Sequence, residues 1–344
     1  MEGRTGTIPA VQGGMGSDMI QIRNAVLAEL ERHRGEYISG EELAKRLHVS
    51  RNAVWKAIGA LRSDGYPIDA RTNCGYALSD GCDILSAQSV ERFLHTPGLN
   101  VQVRGEVSST NTLVRQAAEA GEPEGLLLFA SSQTEGRGRR GRSFYSPDGV
   151  NLYMSALLRP PLAAKDAALV TTLAAVAVAE AVEEIGGREC GIKWVNDVYC
   201  GGKKICGILT EASLDCEAGM LAYAVVGIGI NVRPPKNGFP EPLRAIAGAV
   251  FEQDLPEAEA ASRLAAAVWD RFFAMYRRLP DTGFLSEYRR RSFLLGKPID
   301  VLRPDRNIPA VALAIDAHAG LVVRYADGRE ETLSSGEVSV RSAE

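Results

Sequence analysis

Seven consecutive residues, Gly136-Arg-Gly-Arg-Arg-Gly-Arg142, carry three glycines and four arginines. Such a segment cannot build a core, and its backbone is too free to hold a shape unaided. It lies close behind Leu126-Leu-Leu-Phe129, a short apolar run that reads as a buried strand. A loop of this kind can fold down over an anion, with backbone N–H groups and guanidinium forks as donors. Two other readings of the run alone are a solvated loop and an RNA-binding Gly/Arg segment. Segments of the latter type repeat and need stacking aromatics, whereas this one occurs once, with only Phe144-Tyr145 nearby.

A chain of 344 residues has room for two or three domains. Its net charge of −4 gives no whole-chain signature of a nucleic-acid or membrane-surface binder, so any DNA contact must come from a local patch. No run of about 18 apolar residues is present, which predicts no membrane span. Six cysteines (74, 82, 190, 200, 206, 216) show no CxxC pair or zinc spacing, and reduced thiols in a cytoplasmic protein are expected. Residues 1–18 lack the apolar core of a signal peptide and are set aside as a disordered leader.

Residues 19–80 read as a winged helix-turn-helix. Ile22, Val26 and Leu30 mark one helix, with Gly35 as its stop. Ser39 with Glu42 forms a capping box for a short second helix, and Ser50 caps a third from Arg51 to Arg62. From Lys45 to Arg62 there are five basic residues and no acidic one, although residues 19–80 hold nine basic and eight acidic. That concentration suits a face that tracks phosphates. Ser50, Arg51, Asn52 and Lys56 are placed near DNA, and Val54, Ile58 and Leu61 in the core; Trp55 fits either side. Residues 66–78 read as a hairpin wing. A protein-binding winged helix without DNA contact is the alternative.

A polar hinge at 80–83 leads into a domain over 84–290. The strand Val101–Val107 ends in Ser108-Ser109-Thr110-Asn111, with Thr110 as the N-cap of a helix, a place where α/β sheets commonly bind ligands. Beyond the Gly/Arg loop come a strand over Asn151–Leu158 and an Ala-rich helix over Lys165–Ile185. Lys193 then falls within a buried-strand pattern, Gly191-Ile-Lys-Trp-Val-Asn-Asp197, where an ammonium is costly unless an anion neutralises it. Asn196 and Asp197 are oxygen ligands of the kind Mg²⁺ accepts beside a nucleotide phosphate. Gly227 and Gly229, inside an apolar strand, mark close approach of another body. Helices over Pro256–Leu279 and Phe284–Arg291 lead to short strands over 296–344, including a hairpin signal at Asp327-Gly328.

Together, the winged helix, Ser109-Thr-Asn111, Gln133 before GRGRRG, Lys193-Trp194, Gly207-Ile-Leu209, Gly227-Ile-Gly-Ile-Asn231 and the tail from Ser335 closely resemble one family. It is that of the bifunctional biotin protein ligases that are also biotin-operon repressors, and the likeness runs from residue 20 to 344. Val195 stands where the family usually has proline. The resemblance implies an α/β (α+β) fold: a winged helix, a central mixed sheet with helices, and an SH3-like C-terminal barrel. It implies a biotin–[acetyl-CoA-carboxylase] ligase that makes biotinyl-5′-AMP from biotin and ATP with Mg²⁺. Biotin then passes to a lysine of a biotin carboxyl carrier domain. Biotin would be bound by Ser109, Thr110, Asn111, Gln133, Arg137, Gly138, Arg139, Lys193, Gly227 and Gly229. ATP would be bound by Arg139, Arg142, Lys193, Asn196, Lys204 and Asn231, with Asn196 and Asp197 on Mg²⁺. Lys193, Arg137 and Arg139 would be the catalytic group. A homodimer formed with biotinyl-AMP bound would seat two winged helices on operator DNA. A lipoate or octanoyl ligase and a biotin-sensing repressor without chemistry are the rival readings.

Overall fold

Capping decides where the N-terminal helices begin. Ser50 accepts from the Ala53 amide at 3.1 Å and starts α3, Arg51–Ser63. Ser39 accepts from the Glu42 amide at 3.0 Å and starts α2, Gly40–Arg46. The reciprocal half of the expected capping box is missing, because the Glu42 carboxylate accepts from Arg46 at 2.9 Å instead. An opposite charge one turn on is a stronger attraction than the cap amide. Helix α1, Gly14–Arg32, begins inside the stretch set aside as a leader; no proline interrupts it. The computed structural model describes residues 14–80, 84–149, 151–252, 259–303, 305–334 and 337–340. The rest of the expected leader and most of the polar hinge lie outside those residues.

The chain divides into two units, one ending at Ile84 and one beginning at Leu85. In the first, Val26, Leu27 and Leu30 of α1 meet Leu43 of α2 and Val54, Ile58 and Leu61 of α3 in one core. The wing pairs β1, Ile68–Arg71, with β2, Gly75–Leu78. Gly75 sits at a φ of 112°, and a Cβ there would lie 2.1 Å from the Ile38 carbonyl oxygen, so this turn requires glycine.

In the second unit, α4 spans Ala87–Glu91, β3 Asn100–Val107, α5 Thr110–Glu119, β4 Leu126–Gln133 and β5 Asn151–Leu158. The Ala-rich α6, Ala168–Gly186, is followed by β6, Cys190–Lys193, β7, Asp197–Cys200, β8, Lys203–Asp215, and β9, Met220–Asn231. Helices α7, Ala260–Tyr276, and α8, Leu285–Arg291, precede β10, Pro298–Leu302, β11, Asn307–Ile315, β12, Leu321–Tyr325, β13, Glu330–Leu333, and β14, Glu337–Val340. The central sheet has the order β3-β4-β5-β9-β8-β7-β6. Only β3 and β4 run parallel, joined through α5; every other pairing is antiparallel, so the sheet is mixed. Strands β10–β14 form a separate antiparallel sheet ordered β13-β12-β11-β10-β14. Its Ile299, Val301, Ala312 and Val323 belong to the same buried cluster as α6, α7 and the central strands, so the C-terminal sheet shares one core with the central domain.

Two sequence expectations change here. Residues 191–197 are not one strand but a hairpin: Lys193 ends β6, Asp197 opens β7, and the two are register partners. Lys193 is therefore half-buried at a strand end, not desolvated inside a strand. The six thiols are not all free either, since Cys190 and Cys200 face each other across the β6–β7 ladder, Cα atoms 4.8 Å apart, and are joined as a disulfide. Strand register brings them together, and their spacing in sequence gives no sign of it.

Arg291 ties α8 to α6, and through the Cys190 carbonyl at 3.4 Å to the hairpin. Its buried guanidinium donates to Glu287 at 2.7 Å and to Glu183 at 2.8 Å. The hydrogen bond from Arg290, with the charge of Arg291 beside it, holds the Glu287 carboxyl at about 2. A carboxyl below its unfolded value of about 4.3 stabilises the fold fully at neutral pH. That contribution drains away as pH falls from about 4 toward about 2. Arg291→Met strands the Glu183 carboxylate, which still reaches some water, while Glu287 keeps Arg290 at 2.6 Å, and is expected to cost about 2–3 kcal/mol in urea denaturation at pH 7. The deficit should shrink on acidification.

Candidate active site

The central cleft opens where α5 begins, beneath the Gly/Arg loop. Ser109 is the N-cap of α5 and makes no side-chain cap bond; the expected cap, Thr110, is the first helical residue. Thr110 thereby points its hydroxyl at Gln133, whose Oε1 accepts from Thr110 N at 2.9 Å and from Thr110 Oγ1 at 3.2 Å. Gln133 Nε2 donates to Ser146 Oγ at 3.1 Å. Ser155, the one aliphatic hydroxyl of β5, lies 2.7 Å from both Thr110 Oγ1 and Asn111 Oδ1. Asn111 Nδ2 donates to the Leu209 carbonyl at 3.2 Å and to Glu211 at 2.9 Å. A buried network satisfied to this degree holds each member to one orientation.

Gly227 and Gly229 make room, but for protein groups. A Cβ on Gly227 would lie 2.0 Å from Asn111 Oδ1, and one on Gly229 would lie 2.5 Å from the Phe144 ring. The other body inferred from these strand glycines is Asn111 in one case and Phe144 in the other. Neither glycine has a left-handed φ, so space alone demands them.

The same cleft also carries a cationic lining. The Gly/Arg segment folds back on itself: Gly138 N donates to the Arg142 carbonyl at 2.7 Å and Phe144 N to the Gly136 carbonyl at 2.8 Å. The cleft is lined by Arg137, Arg139, Arg140, Arg142, Lys193 and Lys204, against the single carboxylate of Asp197. Arg137 pairs with Glu211 at 3.1 Å, and Lys204 with Asp197 at 2.7 Å. Arg139 donates to Asn196 Oδ1 at 3.3 Å. Six cations against the carboxylates of Asp197 and Glu211 favour a multiply charged anion.

The hairpin that carries Lys193 and Asp197 is fixed from behind. The Trp194 indole donates to the Ala319 carbonyl at 2.9 Å, from the turn between β11 and β12. The Tyr288 hydroxyl donates to the Val195 carbonyl at 3.2 Å. Val338 of the C-terminal sheet also lines the cleft.

The structure thus gathers Ser109, Thr110, Asn111, Gln133, Arg137, Gly138, Arg139, Arg142, Lys193, Asn196, Asp197, Lys204, Gly227 and Gly229 around one cleft. It does not bring Asn231 there: the side chain is buried and donates to the Gly248 carbonyl at 2.9 Å. Asn196 is turned from the role of metal ligand, since its oxygen accepts from Arg139 and its amide donates to the Ile208 carbonyl at 2.9 Å. Among the described residues no group of three His, Cys, Asp or Glu side chains is placed to hold a metal. Sequence reasoning missed Ser155, Phe144, Ser146 and Glu211. Only Ser155 leaves a signal, as the one small hydroxyl residue in its strand.

Residues 105–231 match the Biotin/lipoate A/B protein ligase family, 22–77 match an HTH domain, and 294–341 match the Biotin protein ligase C terminal domain. The chain is 40% identical over 233 residues to the Bifunctional ligase/repressor BirA of Bacillus subtilis, covering 66% of this chain and 70% of that one. With the protein of the same description from Escherichia coli it shares 30% identity over 320 residues, 90% of this chain and 95% of the relative. The chain belongs to the bifunctional biotin ligase/repressor family. A biotin protein ligase structure from Aquifex aeolicus, in complex with biotin and ATP, matches with a TM-score of 0.57 at 28% identity, covering 71% of this chain and all but 1% of its own. The likeness to a ligase of this family therefore extends from sequence to fold. Among the described residues no helix is long and apolar enough to cross a membrane.

Proposed function

We propose that the two ends of this cleft receive the two substrates of a biotin protein ligase. The observation that carries this reading is the cleft's composition: neutral hydrogen-bonding groups at the start of α5 and six cations in the same lining. Biotin's ureido ring needs neutral donors and acceptors, which Ser109, Thr110 and Gln133 offer. The triphosphate of ATP belongs among Arg139, Arg142, Lys193 and Lys204. Biotin's carboxylate oxygen attacks the α-phosphorus, the bond to the β-phosphate oxygen breaks, and pyrophosphate leaves. A lysine amine of a biotin carboxyl carrier domain then attacks the acyl carbonyl of biotinyl-5′-AMP, loses a proton, and expels AMP.

No covalent enzyme intermediate is needed, so the chain contributes position and charge. Two anions must approach within about 3–3.5 Å. Lys193, at the mouth of the hairpin, bridges the carboxylate and the α-phosphate, and Arg137 and Arg139 offset phosphate charge and shield the mixed anhydride from water. Asp197 is the cleft carboxylate that would hold Mg²⁺, and Lys204, its present partner at 2.7 Å, would turn to the phosphates. Bound there, the ion would neutralise triphosphate charge. Arg139→Gly is expected to leave adenylate formation in place but to release biotinyl-AMP roughly tenfold faster. Charge-assisted hydrogen bonds of about 1.5–3 kcal/mol are lost. Rapid filtration after a single turnover with labelled biotin measures it.

The winged helix gives the repressor half, with operator DNA as its partner and the biotinyl-AMP form as the dimer that spans two half-sites. Arg51→Ala with Lys56→Ala should weaken DNA binding roughly tenfold and reduce the salt slope by about two, as loss of two phosphate contacts requires. Pyrophosphate release should be unchanged in that variant. The reaction is tested by incubating the chain with ATP, Mg²⁺ and either biotin or lipoate. Biotin-dependent pyrophosphate release is expected; release with lipoate alone overturns the assignment.

A further inference from the structure

Helix α3 buries Val54, Ala57, Ile58 and Leu61, and turns Arg51, Asn52, Trp55, Lys56 and Gly59 to solvent. Trp55 is 64% exposed. An indole is among the largest apolar groups a chain carries, and leaving one in water forgoes the burial that usually secures it. Its neighbours on this face are equally unengaged: among the described residues neither Arg51, Asn52, Trp55 nor Lys56 makes a side-chain hydrogen bond, ion pair or ring contact. Apart from Lys45, other cations of the unit are taken up within the protein. Arg46 pairs with Glu42 and Glu29, Arg23 with Asp64, and Arg62 donates to the Ile68 carbonyl at 2.9 Å.

Gly59 adds an independent observation. It lies one helical turn beyond Trp55, on the same stripe, with no left-handed φ. Glycine in a helix interior is about 1 kcal/mol worse than alanine. A Cβ at this position would meet nothing within 4 Å, so packing inside the protein does not require glycine. A bare backbone beside an exposed indole fits close approach of something outside the chain.

We propose that Trp55 is a base-reading residue of α3, its indole lying against a thymine methyl group and the adjoining base edge in the major groove of duplex DNA. Arg51 and Lys56 take the flanking phosphates, and Gly59 lets the groove wall approach the helix. Apolar contact is how the thymine methyl is distinguished from the other groove edges. Charge selects DNA as the occupant over a protein partner: the two unengaged cations flank the indole, and no acidic residue occurs from Lys45 to Arg62. The inference rests on the DNA-binding reading above and deepens it from phosphate contact to sequence choice.

The test uses the full chain with biotin, ATP and Mg²⁺. Duplexes are selected from a random-sequence pool by the parent protein, and binding to a selected duplex is compared with binding to a scrambled one. Trp55→Ala should lower the ratio of selected to scrambled affinity by about 10–100-fold. Scrambled binding and the salt slope should stay unchanged, and Trp55→Phe should recover part of the ratio. Gly59→Ala should raise the melting temperature of the N-terminal unit while lowering the same ratio, a combination that a purely structural role does not give. Arg51→Ala with Lys56→Ala should instead weaken both duplexes alike. If Trp55→Ala keeps the ratio while the paired cation variant loses binding, the base-reading role is wrong and the DNA reading stands. If Trp55→Ala changes only self-association, the face belongs to a second copy and the proposal is overturned. If the parent enriches no sequence, the DNA reading itself falls.

Discussion

Lys193→Ala should slow biotin-dependent pyrophosphate release on the order of 10²–10³-fold, with the melting temperature nearly unchanged. The size follows from what the first step demands. A carboxylate and a phosphate brought to about 4 Å repel by about 4 kcal/mol at an effective dielectric of about 20. An ammonium between them removes most of that penalty, and preorganised charge of this kind is typically worth about 3–4 kcal/mol. The fold should tolerate the change because Lys193 is half-buried at a strand end, where truncation leaves no closed cavity. Its hairpin is held from behind through the Trp194–Ala319 and Tyr288–Val195 hydrogen bonds. Lys193→Arg should restore only part of the rate, since a planar fork does not place one compact charge between two anions. Parental pyrophosphate release by the alanine variant, at saturating ATP and biotin, would remove Lys193 from the mechanism.

What the sequence makes legible here is short-range chemistry. Ser39 and Ser50 start helices where a serine followed by helix formers should. Leu126–Gln133 is a strand because its apolar run can be nothing longer, and the glycines and arginines behind it announce a loop for an anion. Contacts that depend on which strands lie side by side are another matter. Ser155 reaches Thr110 and Asn111 only because α5 begins over β5. Phe144 lies against Gly229 because the Gly/Arg segment folds back on the sheet, and no local pattern says which glycine it will cover. Asn231 ends an apolar strand within a family motif, yet a loop carbonyl at Gly248 captures its amide. Lys193 misled for a related reason: Ile192, Trp194, Val195 and Val198 are all buried, and an apolar run shows no sign of the turn between two short strands.

Gly227→Ala tests the neutral end of the cleft, and should weaken biotin binding roughly 10–100-fold by overpacking of the kind that costs about 1–3 kcal/mol. The added methyl would lie 2.0 Å from Asn111 Oδ1. The sheet cannot yield, because Gly227 is in register with Ser155 of β5 on one side and Leu209 of β8 on the other. Asn111 must move instead, and it is bound to Leu209, Glu211 and Ser155 at 3.2, 2.9 and 2.7 Å. Turning it away also frees Glu211, whose other partner is Arg137, so strain at the neutral end reaches the cationic loop. Asn111→Ala alone should weaken binding less, by loss of hydrogen bonds without a clash. Combined with Gly227→Ala, it should recover part of the affinity, because the methyl then has room. Calorimetric titration of biotin into the two single variants and the double variant gives the coupling directly. Strict additivity across that cycle would mean that Gly227 serves the site by some route other than the space it leaves for Asn111.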